Sequence, residues 1–166
     1  MSQKQKKWAS AHFRKRADRG RRIQKPCGND STVSALGSVV DGAVETCLRE
    51  AQVRWRRVAE GEWGIVAEAG GWPLHVGLAR RGGLLRAQAE VLAESAGDTA
   101  GLLRRNRRLE LVRLASSEAG AIWVEGEIPE RAAVYQEEVD RLLGSLLRAA
   151  DEVRAVYAAR RRAMSR

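Results

Sequence analysis

One stripe near the C-terminus restricts the fold more than any other feature of the chain. Tyr135, Val139, Leu142, Leu146, Ala149, Val153 and Val156 are spaced four, three, four, three, four and three residues apart. That is the rhythm of one helix face at 3.6 residues per turn. Leu143, Leu147, Ala150 and Tyr157 widen the face. Pro129 and Glu130 open the segment, proline suiting a first turn because its missing N–H has no partner there to lose. A helix from Pro129 to Arg160 is about 48 Å long at 1.5 Å per residue. A five-stranded sheet is only about 20–24 Å wide at a strand spacing of ~4.8 Å. The far end of the helix therefore needs another surface, which a second copy of the chain would supply.

Upstream the period changes to two. Trp63, Ile65 and Ala67 alternate with other residues, as do Trp72, Leu74, Val76 and Leu78. Leu85, Ala87, Ala89 and Val91 alternate with Arg86, Gln88 and Glu90, which gives the third run one wet face. Ala69-Gly70-Gly71 and Arg80-Arg81-Gly82-Gly83 separate the runs, and glycine pairs supply the positive φ of tight hairpin turns. Three antiparallel strands in a meander follow. A helix precedes them: Asp30, Ser31 and Thr32 offer N-caps, and Val33, Leu36, Val40, Ala43, Cys47 and Ala51 form its stripe. Its end is expected between Arg49 and Glu60. A short helix opened by Gly97-Asp98 carries Leu102 and Leu103 and closes near Asn106. Leu109 to Ala115 and Ala121 to Ile128 then form a second hairpin. The expected architecture is α+β, an antiparallel five-stranded sheet with flanking helices in the order α-β-β-β-α-β-β-α. Trp63 and Trp72 are expected to fill the core face of that sheet.

The net charge of +9 over 166 residues is unevenly placed. Residues 1–30 hold ten Lys/Arg against Asp18 and Asp30, a net of +8, and all five lysines (Lys4, Lys6, Lys7, Lys15, Lys25) lie there. The remainder carries twenty Arg against nineteen Asp/Glu, a net of +1. This break puts a boundary near Pro26–Ser31: a basic, disordered arm over 1–30, and one domain over 31–166 with a short basic C-terminal end. The domain is long enough to bury a real core. No run of 18 apolar residues exists to span a bilayer, and the first 25 residues are too basic and polar for a signal peptide. A cytoplasmic protein without membrane contact is expected. Cys27 and Cys47 stand twenty apart without histidine spacing, so neither a metal motif nor a disulfide framework is read.

The order of elements and the local sequence together resemble the YbjN family, whose members have the type III secretion chaperone-like fold. The likeness is carried by Leu102-Leu103-Arg104-Arg105-Asn106, then Leu109-Glu110-Leu111-Val112-Arg113-Leu114. It continues through Gly120-Ala121-Ile122-Trp123-Val124-Glu125-Gly126-Glu127-Ile128-Pro129 into the long helix. It covers about residues 32–160 and leaves the arm outside. The resemblance implies a homodimer that binds other proteins, chaperone-like clients held over exposed apolar surface, rather than an enzyme. It transfers no chemical role to any residue.

Enzymatic chemistry finds little support in the residues themselves. His75 stands opposite the apolar face of its strand, no serine sits in a nucleophile elbow, and no lysine follows Lys25 to serve a phosphate loop. No catalytic residue, cofactor or metal site is expected. Trp123, Glu125 and Glu127 point away from Ile122 and Val124, and an aromatic beside acids on an outward sheet face makes a protein-contact anchor. Cover by a helix or by a dimer mate is the equal alternative for that face. In the arm, Lys6, Lys7, Arg14, Lys15, Arg16, Arg21 and Arg22 are interleaved with Trp8 and Phe13. Cations release counterions from phosphates and aromatics stack on unpaired bases, so nucleic-acid contact is open for the arm beside a solvated tail or a segment absent from the mature protein. The expectation is a non-catalytic homodimeric protein-binding module with an unidentified client. A nucleic-acid-associated regulatory protein is the alternative.

Overall fold

The computed structural model describes residues 30–93 and 99–165. Helix α1 (Asp30–Glu50) places Val40, Val44, Cys47 and Leu48 in the core, with Val40 and Val44 fully buried. It stops where Gln52 takes a positive φ of 53°, a left-handed conformation that a helix cannot continue. Six strands follow: β1 (Arg54–Ala59), β2 (Glu62–Ala69), β3 (Trp72–Arg81), β4 (Leu84–Leu92), β5 (Val112–Ser116) and β6 (Ile122–Pro129). Helix α2 (Thr99–Asn106) lies between β4 and β5, and α3 (Gln136–Met164) closes the chain. Every pairing is antiparallel, in the order β1-β2-β3-β4-β6-β5.

Trp63, Ile65, Leu74, Val76, Leu78, Leu85, Ala87, Ala89, Val91, Ile122, Val124 and Ile128 share one face of the sheet and the core. Val139, Leu142, Leu146, Ala149, Ala150 and Val153 of α3 meet them there. Each large apolar side chain so buried contributes about 1.5–3 kcal/mol. At Gly126 the approach is too close for a side chain. A Cβ would lie 2.7 Å from Val112 Cγ1 and 2.8 Å from Leu142 Cδ1, so glycine sets the α3–β6 distance. Gly70–Gly71 and Gly82–Gly83 each have both φ values positive, the geometry of the two-residue hairpin turn.

Three expectations are corrected. The sheet has six strands, not five: β1, Arg-Trp-Arg-Arg-Val-Ala, is an edge strand whose residues are all exposed except the half-buried Trp55. With no buried alternate position it carries no period-two signal, and its pairing to β2 slips between Arg57 and Ala59. The last helix begins at Gln136 rather than at Pro129. Pro129 pairs with Leu84, and Glu130 N–H still donates to Gly83 O, so sheet contacts hold the chain through the position where a helix would start. Trp72 is 70% exposed. It opens β3 opposite Ala69, at the hairpin turn where the core ends.

Candidate functional site

Strand alternation that buries one face presents the other, and both long helices pack on the buried one. Among the described residues no helix lies over the second face, which carries Val66, His75, Arg86, Gln88, Glu90, Trp123, Glu125, Glu127, Arg113 and Ala115. The register sets Trp123 between Glu90 and Ala115, Glu125 between Gln88 and Arg113, and Glu127 opposite Arg86. Trp123 and Glu125 are half-buried and Glu127 is exposed, while Ile122 and Val124 are buried. The three residues singled out in the sequence thus share one row of β6. Their carboxylates have cations to hand: Arg113 lies 3.7 Å from Glu125 and Arg86 3.3 Å from Glu127. Pairs this exposed add about 0–1 kcal/mol each, so they orient side chains more than they stabilise the sheet.

A second polar centre was missed in the sequence. Asp41 of α1 is 7% exposed. One of its oxygens accepts from Arg80 Nε at 3.1 Å, and the other is paired with Arg57. Arg57 also donates to Glu45 at 3.1 Å and lies over the Trp63 ring. The Arg80 guanidinium sits where a Cβ on Gly37 would be 2.6 Å away, so a side chain at position 37 would push it from its place beside Asp41. Ser38, Asp41, Gly42, Glu45, Arg57 and Glu60 line an open cleft of about 400 Å³ beside this network. The signal was Asp41 between the apolar positions Val40 and Val44 of α1 and an arginine-rich strand, neither of which names its partner until both are in space.

The remaining sequence candidates are scattered over β3, α1 and α2. His75 is exposed on the second face. Burial, with Asp140 and Glu50 nearby, pushes the Cys47 thiol from 9.0 up to about 11, so the thiolate that would act as a nucleophile is suppressed at neutral pH. Among the described residues no group of His, Cys, Asp and Glu is placed to hold a metal ion. Arg104, Arg107 and Arg108 are exposed, and Arg105 faces Glu152 at 3.9 Å. No described helix is long and apolar enough to cross a membrane. Lys6, Lys7, Trp8, Phe13, Arg14, Lys15, Arg16, Arg21 and Arg22 lie outside the described residues.

No family model matches the chain, and no curated protein matches it either. Among solved structures, a chain of the HopA1–SchA chaperone–effector complex superposes with a TM-score of 0.51 at 14% identity, covering 70% of this chain and 95% of that one. A chain of the heterodimeric ExoU–SpcU complex from the type III secretion system of Pseudomonas aeruginosa gives a TM-score of 0.48 at 17% identity, covering 64% of this chain and 91% of that one. The antiparallel sheet with its flanking helices is a type III secretion chaperone-like fold.

Proposed function

We propose that this chain is a non-catalytic, chaperone- or adaptor-like protein-binding module of the YbjN type, working as a cytoplasmic homodimer. The observation that carries the reading is the second sheet face. It sets a half-buried tryptophan in a row with Glu125 and Glu127 and has no described helix over it. The similar HopA1–SchA structure is a chaperone–effector complex, which supports a protein client for this fold. In mechanism, Trp123 supplies apolar area to the client, while Glu125, Glu127 and their arginines select its charge pattern. Release needs no bond made or broken.

Aromatics at the centre of such contacts typically lose at least ~2 kcal/mol of binding on truncation, about thirtyfold in affinity. The test is retention of client proteins by the tagged full chain and by Trp123→Ala, with circular dichroism confirming that the variant folds. Clients lost by the variant support the reading; clients held equally by both refute this face as the contact.

The charge break at residue 30 favours a second reading, contact with DNA or RNA through the arm. Ten Lys/Arg among thirty residues predict affinity that falls steeply with salt. Titrating a single-stranded oligonucleotide against the full chain at two salt concentrations separates it from the first reading, since client contacts through buried apolar area are only mildly screened.

A further inference from the structure

The cleft beside the α1 clamp is built around a glycine that the fold itself does not require. Glycine weakens a helix interior more than any residue except proline, and α1 carries two, Gly37 and Gly42. Gly37 makes room for the Arg80 guanidinium, but a Cβ on Gly42 would meet nothing within 4 Å. What the missing side chain does is open the cleft down to the helix backbone, the close approach that glycine permits a ligand. Ser38, Asp41, Gly42 and Glu45 follow one another at steps of three, one and three residues, which sets them on one face of α1. Arg57 of β1 and Glu60 of the β1–β2 turn stand across from them, and Arg80 N–H holds that turn through Gly61 O at 2.7 Å.

Charge says what such a cleft takes. Its lining sets three carboxylates, Asp41, Glu45 and Glu60, against the one guanidinium of Arg57, an excess of two negative charges. Counting Arg80 behind Asp41 together with its other neighbour Glu130 leaves that excess unchanged. Glu60 is 89% exposed and 4.0 Å from Arg80, so its oxygens are open to a further donor. Among the described residues no carboxylates are placed to hold a metal ion. The volume of about 400 Å³ lies within the range of ligand pockets, about 300–1,000 Å³, and suits a long side chain rather than a bare ion. A guanidinium meets carboxylates through a planar fork and is more weakly hydrated than an ammonium.

We propose that the cleft binds an arginine side chain of a partner peptide, its stem laid over Gly42 and its guanidinium taken by Glu45 and Glu60. Arg57 pairs in register with Trp63, so the cleft opens on the helix-covered side of the sheet, away from the Trp123 row. The site goes beyond the proposed function, and its occupancy does not depend on client contact at Trp123.

The test is a titration of the isotope-labelled full chain with acetyl-Gly-Arg-Gly-amide at low salt, followed through amide NMR shifts. The matching citrulline and lysine peptides are the comparators. Expected are saturable shifts at Ser38, Gly42, Glu45 and Glu60, binding of the neutral citrulline peptide weaker by roughly tenfold, and a smaller loss for lysine. Glu60→Gln, at an exposed position, should weaken the arginine peptide several-fold. Gly42→Leu should weaken it by roughly tenfold while raising the melting temperature, because leucine favours the helix. Loss of binding in a more stable protein separates a blocked cleft from a damaged α1. The absence of saturable shifts, equal affinity for the citrulline or the lysine peptide, or unchanged affinity in either variant would each overturn the proposal.

Discussion

Asn106 shows how much one amide can settle. Its side-chain oxygen accepts from Leu114 N–H at 2.7 Å, and its nitrogen donates to Leu114 O at 3.0 Å. One residue thus supplies both backbone partners that β5, at the sheet edge, lacks on its outer side. Asn106→Ala should cost about 1–3 kcal/mol by leaving the two groups unsatisfied, read as a lower urea midpoint. Asn106→Asp, which keeps only the acceptor, should fall between. Arg154 plays a related part at the other end of the sheet. Its guanidinium donates to Ala69 O, Trp72 O, Pro73 O and Val91 O, and burial lowers its pKa while Asp151 opposes that shift. Cys47 gives a pH prediction. Its folded pKa of about 11 lies above the ordinary 9.0, so above pH 9 the folded chain holds a proton that the unfolded chain releases. Stability should therefore be intact below pH 9 and decline from there towards pH 11. Thermal melts of the parent and Cys47→Ala across that range check it, since the extra decline should vanish in the variant.

At the scale of elements, α1 depends on a charged clamp as well as on its apolar stripe. Asp41, Arg57 and Arg80 tie α1 to β1 and β3, and Glu130, 4.0 Å from Arg80, brings in the chain after β6. Removing one member of such a group leaves a partly buried charge uncompensated. Asp41→Ala should cost about 2–4 kcal/mol, and hydrogen exchange should rise across α1 before it rises in β3 or β4. Uniform exchange throughout the chain would mean that the clamp does not set α1 apart. The same comparison shows where sequence periodicity succeeds. It found α1, the meander over β2–β4 and the β5–β6 hairpin, because each buries alternate or stepped apolar residues. It missed β1, whose pairing rests on backbone hydrogen bonds at an edge and whose side chains, apart from the half-buried Trp55, stay exposed.

For the whole molecule, the remaining issue is the reach of α3. Its 29 residues extend about 44 Å at 1.5 Å per residue, while six strands at ~4.8 Å make a sheet about 24 Å wide. Val153 is the last residue of α3 in the core and Arg154 grips the β2–β3 turn, so the turns that follow, with Val156, Tyr157 and Ala158 half-buried, add no residue to that core. A second copy is the proposed surface for them. Light scattering of the full chain should give twice the chain mass at micromolar concentration. A monomer mass would remove the homodimer from the proposed function and leave the fold untouched.

The sequence by itself determined the helical stripes, the positive-φ glycine turns, the apolar face of each central strand and the break in charge at residue 30. These are local properties, set by residue spacing and by what each side chain tolerates. It also set Trp123, Glu125 and Glu127 on one side of β6, because alternation in a strand leaves no other choice. Only the tertiary structure decided that Trp72 stands in water, that Asp41 faces two arginines from distant strands, and that Arg86 and Arg113 flank the acids of β6. Those outcomes depend on register and on which face the helices cover. Both are set by contacts between residues far apart in the chain, and no periodicity within a segment encodes them.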